Sequence, residues 1–389
     1  MTRLFFDVEC YPNYFLIIFS TEENKTVCFE LDDNKTFDKS KVLNLLSSYE
    51  TIGFNSRSYD IPMILKAISL LSGDLTANDS LKKLSDELIG NDTFDILSKY
   101  NLWCPKEFKH IDIINVITGK ASLKMYGARI HTELLQDLPY EPSRILTNKE
   151  KEEVKKYCIN EINLTKQLYK NIEPEIKIRR KLSAKYDIDL CSKSDAQIAE
   201  ALFRKSLNIY KPAINSFDFN YEKPSYIKFK NEELKNFENK ICSVNFKGKV
   251  GDQISKDNIT GKIKINNNEY KIGIGGLHST EKNISYSSDK DNFLIDFDVT
   301  SYYPSIILNN NIYPQGLNES FLKLYKKWYD DRLIAKSKKD ENLSWLLKII
   351  LNGAFGKFNS KFSVLYCPRS LIQTTITGQL SLLMLIEKL

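Results

Sequence analysis

The sequence has few of the residues that build a disulfide framework, a zinc site or a membrane span. Its seven cysteines are scattered and form no Cys-x-x-Cys pair, which argues against both a disulfide frame and a thiolate zinc site. With only three histidines, any metal would bind carboxylates and be a hard cation. No apolar run reaches the ~20 residues of a membrane span, and no signal-peptide core precedes Asp7. We expect small core cysteines and a protein of the reducing cytoplasm, without membrane contact.

The chain is long enough for more than one hydrophobic core. At roughly 150 residues per domain, the 389 residues suggest two or three domains, and 42% hydrophobic with 27% charged residues is typical of a globular protein. The net charge is only +6, but residues 321–339 contain seven Lys or Arg against two Asp. This stretch is either a local site for a polyanion or a solvated, lysine-rich helix face.

Strand and helix patterns alternate early in the chain, which predicts an α/β layer. The predicted elements of the first half are strands 3–8, 14–20, 26–31 and 51–54, and helices 39–48, from Asp60 onward, 147–171 and 180–206. The helix over 147–171 opens on the capping box Thr147-Asn148-Lys149-Glu150.

The second half begins with residues 208–265, which are rich in Lys and Asn and are predicted to connect two domains. The elements predicted after it are strands 262–274 and 284–299, an antiparallel hairpin of helices 318–339 and 343–354, and a helix-like run 374–389.

Acidic side chains recur at informative spacings in the first half. Asp7 and Glu9 stand two apart on a strand, so both leave the same face. Asp60 follows a predicted buried strand, where it is either a neighbour of that pair or a helix N-cap. Tyr157 and Glu161 are four apart and share one helix face, for which an ordinary surface pair is the alternative.

Together these segments resemble the 3′–5′ proofreading exonuclease of family B DNA polymerases. They occur in the family order over residues 1–205 and are Phe6-Asp7-Val8-Glu9, Gly53-Phe54-Asn55 through Tyr59-Asp60, and Lys156-Tyr157-Cys158-Ile159-Asn160-Glu161. The resemblance implies a ribonuclease-H-like α/β domain that binds single-stranded 3′ ends.

The same resemblance implies roles for individual side chains. Two divalent cations, Mg²⁺ or Mn²⁺, would be bound by four carboxylates: Asp7, Glu9, Asp60 and Glu161. Tyr157 would orient the attacking water, and Asn55 would hold the 3′-terminal nucleotide. The family prefers Asp at the position of Glu161, whose extra methylene moves the carboxylate by more than ~1 Å and is expected to weaken the nuclease.

A second motif begins at Asp298 and reads Asp298-Val299-Thr300-Ser301-Tyr302-Tyr303-Pro304-Ser305-Ile306-Ile307. It resembles polymerase motif A of the same family, which implies that Asp298 ends a palm strand and binds both catalytic ions. Tyr303 would lie under the incoming sugar and exclude a 2′-hydroxyl. A strand that ends in a polar turn is the alternative.

The helical hairpin carries basic residues at helical spacing. Arg332 and Lys336 are four apart on its first helix, and Lys348 and Asn352 are four apart on its second, which suits a triphosphate. The second helix, from Lys348 to Gly356, resembles motif B of the family. Gly353 and Phe355 replace the usual Ser and Tyr beside the primer-template pair and are expected to contact DNA.

A glycine-rich segment, Gly273-Ile274-Gly275-Gly276-Leu277-His278-Ser279, falls where the family guides the template strand. Gly275 and Gly276 would let a phosphate backbone approach closely, although a turn at a strand end also explains them.

Motif C and the thumb of the family are missing before Leu389, so we expect the front part of a phage-like family B polymerase, truncated before motif C. The expected domains are exonuclease 1–205, connecting region 206–283, palm 284–316, fingers 317–360 and truncated palm 361–389. Such a chain would bind deoxynucleoside triphosphates and primer-template DNA without extending a primer. Alternatively, it is the catalytically silent half of a split polymerase whose second chain supplies motif C and thumb.

Overall fold

The computed structural model describes residues 2–71, 76–117, 119, 121–210, 214–252, 254, 259–266 and 268–389. Its contacts divide the chain into two compact units, Met1–Ser194 and Asp195–Leu389. The division falls before the expected boundary at 205 because the helix Asp195–Leu207 packs on a helix of the second unit. No helix of the described part is both long and apolar enough to cross a membrane.

The first unit is built on one mixed sheet. Its strands are β1 (Arg3–Tyr11), β2 (Tyr14–Ser20), β3 (Thr26–Leu31), β4 (Glu50–Gly53) and β5 (His110–Asp112). The spatial order is β3-β2-β1-β4-β5, with β1, β4 and β5 parallel and β2 antiparallel to both of its neighbours. The predicted α/β layer and its first four strands are therefore confirmed.

Seven helices accompany this sheet in the described residues of the first unit. They are α1 (Lys39–Ser48), α2 (Asp60–Ser69), α3 (Ala77–Gly90), α4 (Thr93–Tyr100), α5 (Leu123–Arg129), α6 (Asn148–Asn171) and α7 (Glu173–Tyr186). The predicted capping box of α6 is confirmed, because the Thr147 side chain accepts from the Glu150 amide and the Glu150 carboxylate accepts from the Thr147 amide.

Strand β1 separates two hydrophobic cores. Phe6 and Val8 point into the core that contains α1 to α4, whereas Phe5 points into the core that contains α6. Because side chains alternate along a strand, Asp7 and Glu9 share the Phe5 face. The sequence alternation therefore places two carboxylates on the side of the sheet that α6 covers.

The second unit is mainly helical, with small sheets. Its elements are α8 (Asp195–Leu207), β6 (Ser216–Asn220), α9 (Glu232–Ser243), β7 (Asn245–Lys249), β8 (Gly261–Ile265), β9 (Asn268–Ile272), β10 (His278–Ser279), α10 (Tyr302–Asn309), α11 (Asn318–Ser337), α12 (Glu341–Lys357) and α13 (Pro368–Lys388). Residues 208–265 are thus not a plain connection. Strands β6 and β7 pair with each other, and strands of five residues are too short to stand out in a Lys- and Asn-rich segment.

The predicted helical hairpin is confirmed as α11 and α12. Its interior is aromatic: Phe203 of α8 stacks on Phe321 of α11 with ring centroids 4.9 Å apart and meets Trp328 edge-on at the same distance. The Tyr325 hydroxyl, fully buried, donates to the Leu351 carbonyl of α12 at 3.0 Å. These contacts join α8, α11 and α12 into one layer.

The predicted strand 284–299 is wrong. Residues 281–300 contain neither helix nor strand, and their large apolar side chains are exposed, with Phe293 and Phe297 each at 80%. An alternating pattern becomes a strand only when a neighbouring strand accepts its backbone hydrogen bonds. In the described chain no strand pairs with this segment.

Candidate functional site

The first-unit site is built at the carboxyl ends of parallel strands. Asp7 and Glu9 lie in the second half of β1, and the chain leaves β4 through a short loop that ends at Asp60, the first residue of α2. The N-cap interpretation of Asp60 is not what the structure has, because Tyr59 occupies the cap position and no side chain caps the helix. Asp60 is instead buried, at 4% exposure.

Helix α6 brings three more polar side chains to the same place. Tyr157, Cys158 and Glu161 lie on its buried face, and the Cys158 thiol donates to Oδ2 of Asp7 at 3.6 Å. Ligand atoms of Asp7, Glu9 and Cys158 all lie within 4.8 Å of one another. Cys158 is buried, as expected of a core cysteine, but its sulfur also faces the carboxylates.

The four predicted carboxylates interact electrostatically in this space. Burial raises the pKa of Asp7 to about 6. Burial, followed by the negative charges of Asp7, Glu161 and Asp60, raises the pKa of Glu9 well above its ordinary value. Burial and the charge of Asp7 raise the pKa of Glu161 to about 7. The same two causes raise the pKa of Asp60. The site therefore concentrates negative charge where water is scarce.

This donor set fits hard divalent cations. Oε1 of Glu161 is buried and has no hydrogen-bond partner among the described residues, although a buried acceptor is normally satisfied. Carboxylate oxygens are the ligands that Mg²⁺ and Mn²⁺ prefer. A cation would satisfy this oxygen and offset the mutual repulsion of the carboxylates. Asp7, Glu9, Asp60 and Glu161 are the residues that would hold it.

Asp112, which no sequence pattern singled out, fixes the loop that leads to Asp60. It is 1% exposed at the end of β5. Its Oδ1 accepts from the Asn55 amide at 2.9 Å, and its Oδ2 accepts from the Arg57 amide at 2.9 Å. Asn55 has a positive φ of 57°, a conformation that Asn tolerates better than most residues. The available signal was the short segment His-Ile-Asp before an apolar pair, which is β5 itself.

Lys124 on α5 is a second residue of the site that no sequence pattern singled out. Its ammonium lies 5.6 Å from the centroid of the Tyr157 ring, and its positive charge lowers the pKa values of both Glu9 and Glu161. It lies in the segment between 75 and 145, whose mixed pattern singled out no candidate. Lys124 therefore places a positive charge at the border of the acidic site.

Loop 53–60 is also fixed by a buried histidine. The two ring nitrogens of His110 are hydrogen-bonded to Oγ of Ser56 at 2.8 Å and to Oγ1 of Thr51 at 3.0 Å. Burial lowers the pKa of His110 to about 3. His110 is therefore neutral and structural.

In the second unit, Asp298 lies apart from the helices that surround the rest of its motif. It is exposed in the segment 281–300. Regular structure in the motif begins with α10, which follows Ser301, whose hydroxyl accepts from the buried guanidinium of Arg332. Tyr303 on α10 packs against Phe355 on α12, with ring centroids 4.5 Å apart. Residues of the two predicted polymerase motifs thus meet at the start of α10.

The remaining predicted residues of the hairpin differ in exposure. Lys336, Lys348 and Asn352 are exposed, and neither lysine forms an ion pair with a described residue. Gly353 is buried, and a Cβ there would lie 2.7 Å from the Asp195 carbonyl oxygen of α8. Close packing of α12 on α8 accounts for this glycine without a DNA contact.

The glycine-rich segment forms the turn between β9 and β10. Gly273 is bonded to the Gln379 side chain of α13, whose amide donates to the Gly273 carbonyl at 2.5 Å. A Cβ on Gly275 would meet nothing within 4 Å, and on Gly276 only His278 at 3.6 Å. Neither glycine has positive φ. Neither backbone conformation nor packing therefore requires glycine at 275.

Comparison with known proteins gives the fold class. No family model matches the chain, and no curated protein matches it. A solved structure does: the family B DNA polymerase of the hyperthermophilic archaeon Pyrobaculum calidifontis superposes with a TM-score of 0.53 at 12% identity. The match covers 100% of this chain and 51% of the archaeal one, so the chain spans about half the length of that polymerase. The fold is similar to that part of a family B polymerase.

Proposed function

We propose that this chain is the exonuclease-bearing part of a family B DNA polymerase and removes nucleotides from single-stranded 3′ ends of DNA. The observation that carries the proposal is the electrostatic interaction of four carboxylates from β1, α2 and α6, of which Asp60 and Glu161 are buried, with an unsatisfied oxygen on Glu161. The sheet order β3-β2-β1-β4-β5 supports a ribonuclease-H-like domain, and the similar archaeal polymerase supports the family.

Two divalent cations bound by Asp7, Glu9, Asp60 and Glu161 would activate a water and stabilise the leaving 3′ oxygen of the phosphodiester. Residues of the chain supply the ligand oxygens and fix the loop next to this site. Asp7 and Glu9 offer oxygens from one strand face, and Asp112 fixes the loop that carries Asn55. In this proposal, Asn55 holds the 3′-terminal nucleotide.

Two side chains on the helices next to the site complete the proposed nuclease. Tyr157 lies on the same face of α6 as Glu161, and the negative charge of Glu161 contributes to raising its pKa. A neutral hydroxyl is thus available to orient the attacking water. Lys124 is near enough to affect the pKa values of Glu9 and Glu161. It is placed to attract the phosphate of the substrate.

The second unit is proposed to bind primer-template DNA and a deoxynucleoside triphosphate. The Tyr303 ring, held by Phe355, would lie under the incoming sugar, while Arg332, Lys336, Lys348 and Asn352 would bind the triphosphate. Gly275 and Gly276 would line the template path, which the open space at Gly275 supports. Asp298 would bind the polymerase ions, again Mg²⁺ or Mn²⁺.

A second candidate function is a silent half of a split, phage-like polymerase that needs another polypeptide. The observation that favours it is the exposed apolar segment around Phe293, Leu294 and Phe297, next to the exposed Asp298. Apolar residues exposed in a row mark a surface that another element covers. A second chain that supplies strands beside this segment would also fix Asp298.

A labelled single strand distinguishes these candidates. The full chain is incubated with a 5′-labelled single-stranded DNA and Mg²⁺, and we expect shortening from the 3′ end. Asp7→Ala is the control and should leave the strand intact. If wild-type protein at high concentration leaves the strand intact as well, the nuclease proposal fails and the silent half is favoured.

Primer extension by the same preparation tests the second unit. We expect no incorporation, since Asp298 alone is not positioned to hold two ions. Incorporation by the pure chain that Asp298→Ala abolishes would contradict this expectation.

A further inference from the structure

The acidic site contains a sulfur atom that the proposed nuclease does not use. Sγ of Cys158 lies 3.6 Å from Oδ2 of Asp7, and ligand atoms of Cys158, Asp7 and Glu9 fall within 4.8 Å of one another. Donors that share one Zn²⁺ lie about 3.3 to 3.8 Å apart when the metal–ligand bonds are about 2.0 to 2.3 Å long. The Sγ–Oδ2 pair already meets this spacing.

An independent observation indicates that a ligand belongs at this place. Glu161, on the same face of α6 as Cys158, is 8% exposed, and its buried Oε1 has no partner among the described residues. Glu161 interacts electrostatically with Glu9 and with Asp7, two of the three residues of the cluster. A cation next to Asp7 and Cys158 would therefore interact electrostatically with a carboxylate whose Oε1 has no hydrogen-bond partner among the described residues.

A thiolate changes which ions such a site prefers. Thiolate sulfur is a soft ligand that selects Zn²⁺ and related thiophilic ions, whereas Mg²⁺ takes oxygen ligands. We propose that Cys158, with Asp7 and Glu9, forms a mixed thiolate–carboxylate site that binds a thiophilic divalent cation such as Cd²⁺ or Zn²⁺ more tightly than Mg²⁺. The thiol gives up its proton to solvent when the metal–sulfur bond forms.

Burial determines how the ion reaches the sulfur. Cys158 is fully buried, whereas Asp7 and Glu9 are only partly buried. The ion therefore meets the carboxylates first and the sulfur last. The inference uses the carboxylates of the proposed nuclease, so a thiophilic ion held by Cys158 would occupy a position needed by Mg²⁺ and would inhibit cleavage.

The test is a Cd²⁺ titration of the full-length chain in thiol-free buffer, followed by the ultraviolet sulfur-to-cadmium charge-transfer absorption. We expect the band to saturate with one equivalent in wild type and in Cys191→Ser, a control whose half-buried thiol lies near Ser183. In Cys158→Ser the band should be lost and the Cd²⁺ affinity should fall at least tenfold. An equal band in Cys158→Ser, or no band in wild type, overturns the proposal.

If Cys158→Ser does not fold, X-ray absorption at the cadmium edge tests the proposal on the wild-type chain alone. In the wild-type chain with one equivalent of Cd²⁺ we expect one sulfur neighbour and oxygen neighbours, and an oxygen-only shell overturns the proposal. The outcome is separable from the proposed function. If Cd²⁺ has a sulfur neighbour but the chain shows no 3′ cleavage in Mg²⁺, the nuclease proposal fails and the proposed metal site stands. If the chain cleaves but Cd²⁺ has no sulfur neighbour, the metal-site proposal fails and the nuclease proposal stands.

Discussion

The two acidic motifs of this chain differ in what surrounds them. In the first unit, four carboxylates come from three elements and converge in one site, where Asp60 and Glu161 are buried and Asp7 and Glu9 are half-buried. In the second unit, Asp298 lies exposed in a segment without helix or strand. Both carboxylate sets were predicted from the sequence as candidate metal ligands. A motif therefore becomes a site only where its neighbouring elements fold against it.

The two motifs differ because a neighbouring strand pairs with the segment that carries the first motif and none among the described residues pairs with the segment that leads to the second. Strand β1 pairs with β2 from Phe5 to Tyr11 and with β4 from Arg3 to Phe5, so the backbone that carries Asp7 and Glu9 is held by β2. The segment that leads to Asp298 has equally apolar residues, but no described strand lies beside it. Regular structure resumes just after this segment, at α10, where Tyr303 packs on Phe355.

The largest expected effect comes from substituting one acidic residue in each unit. Asp7→Ala should lower 3′ cleavage about 10³-fold or more, because a two-ion site loses a ligand. Asp298→Ala should leave cleavage within about twofold, because it belongs to the other unit. Initial rates on a 5′-labelled single strand measure both. Equal losses in the two variants would contradict the comparison.

A positioning residue should have the next largest effect. Asp112→Asn removes the charged acceptor that holds the Asn55 and Arg57 amides, and we expect a loss of about 10- to 100-fold in kcat/KM. Asp189→Asn is the matched control, since Asp189 is an exposed ion-pair partner of Arg57. If both variants behave alike, Asp112 does not position the site.

The pH dependence of metal binding is expected to be smaller. With pKa values of about 6 for Asp7 and about 7 for Glu161, a shift from pH 8 to pH 6 protonates most of Glu161 and about half of Asp7. Mn²⁺ affinity should fall about tenfold over this range. Titration calorimetry at the two pH values measures the change. An unchanged affinity would show that these carboxylates do not hold the ion.

The raised pKa values of Asp7 and Glu161 also predict how the stability of the metal-free chain changes with pH. Their folded-state pKa values lie above the unfolded ones, so their stabilising contribution is present below pH 4 and is lost as the pH rises through about 6 and 7. The difference in Tm between Asp7→Asn and wild type should therefore grow in favour of the variant from pH 5 to pH 8. A constant difference would contradict the assigned pKa direction.

The smallest expected effect concerns the glycine turn of the second unit. Gly275→Ala adds a methyl group into open space, so the fold should be unaffected while binding of single-stranded DNA falls about 2- to 5-fold if a phosphate backbone approaches there. Gly90→Ala, another glycine with open space around its Cβ position, is the matched control. Unchanged binding in both variants would remove the template contact.

Local patterns predicted much of the fold. The alternation of β1 placed Asp7 and Glu9 on one face, and the capping box fixed the start and thus the phase of α6. Asp112 could not be predicted, because its role depends on the parallel pairing of β4 with β5 across more than fifty intervening residues. The sulfur of Cys158 next to Asp7 depends likewise on how α6 packs over β1.

The central claim is that separate elements of the first unit bring four carboxylates together to hold divalent cations. Electron paramagnetic resonance of Mn²⁺ titrated into the full chain, compared with the Asp7→Asn and Glu161→Gln variants, tests it most directly. We predict up to two bound ions per wild-type chain and fewer, weaker ions in each variant. Equal Mn²⁺ binding by wild type and both variants would contradict the account.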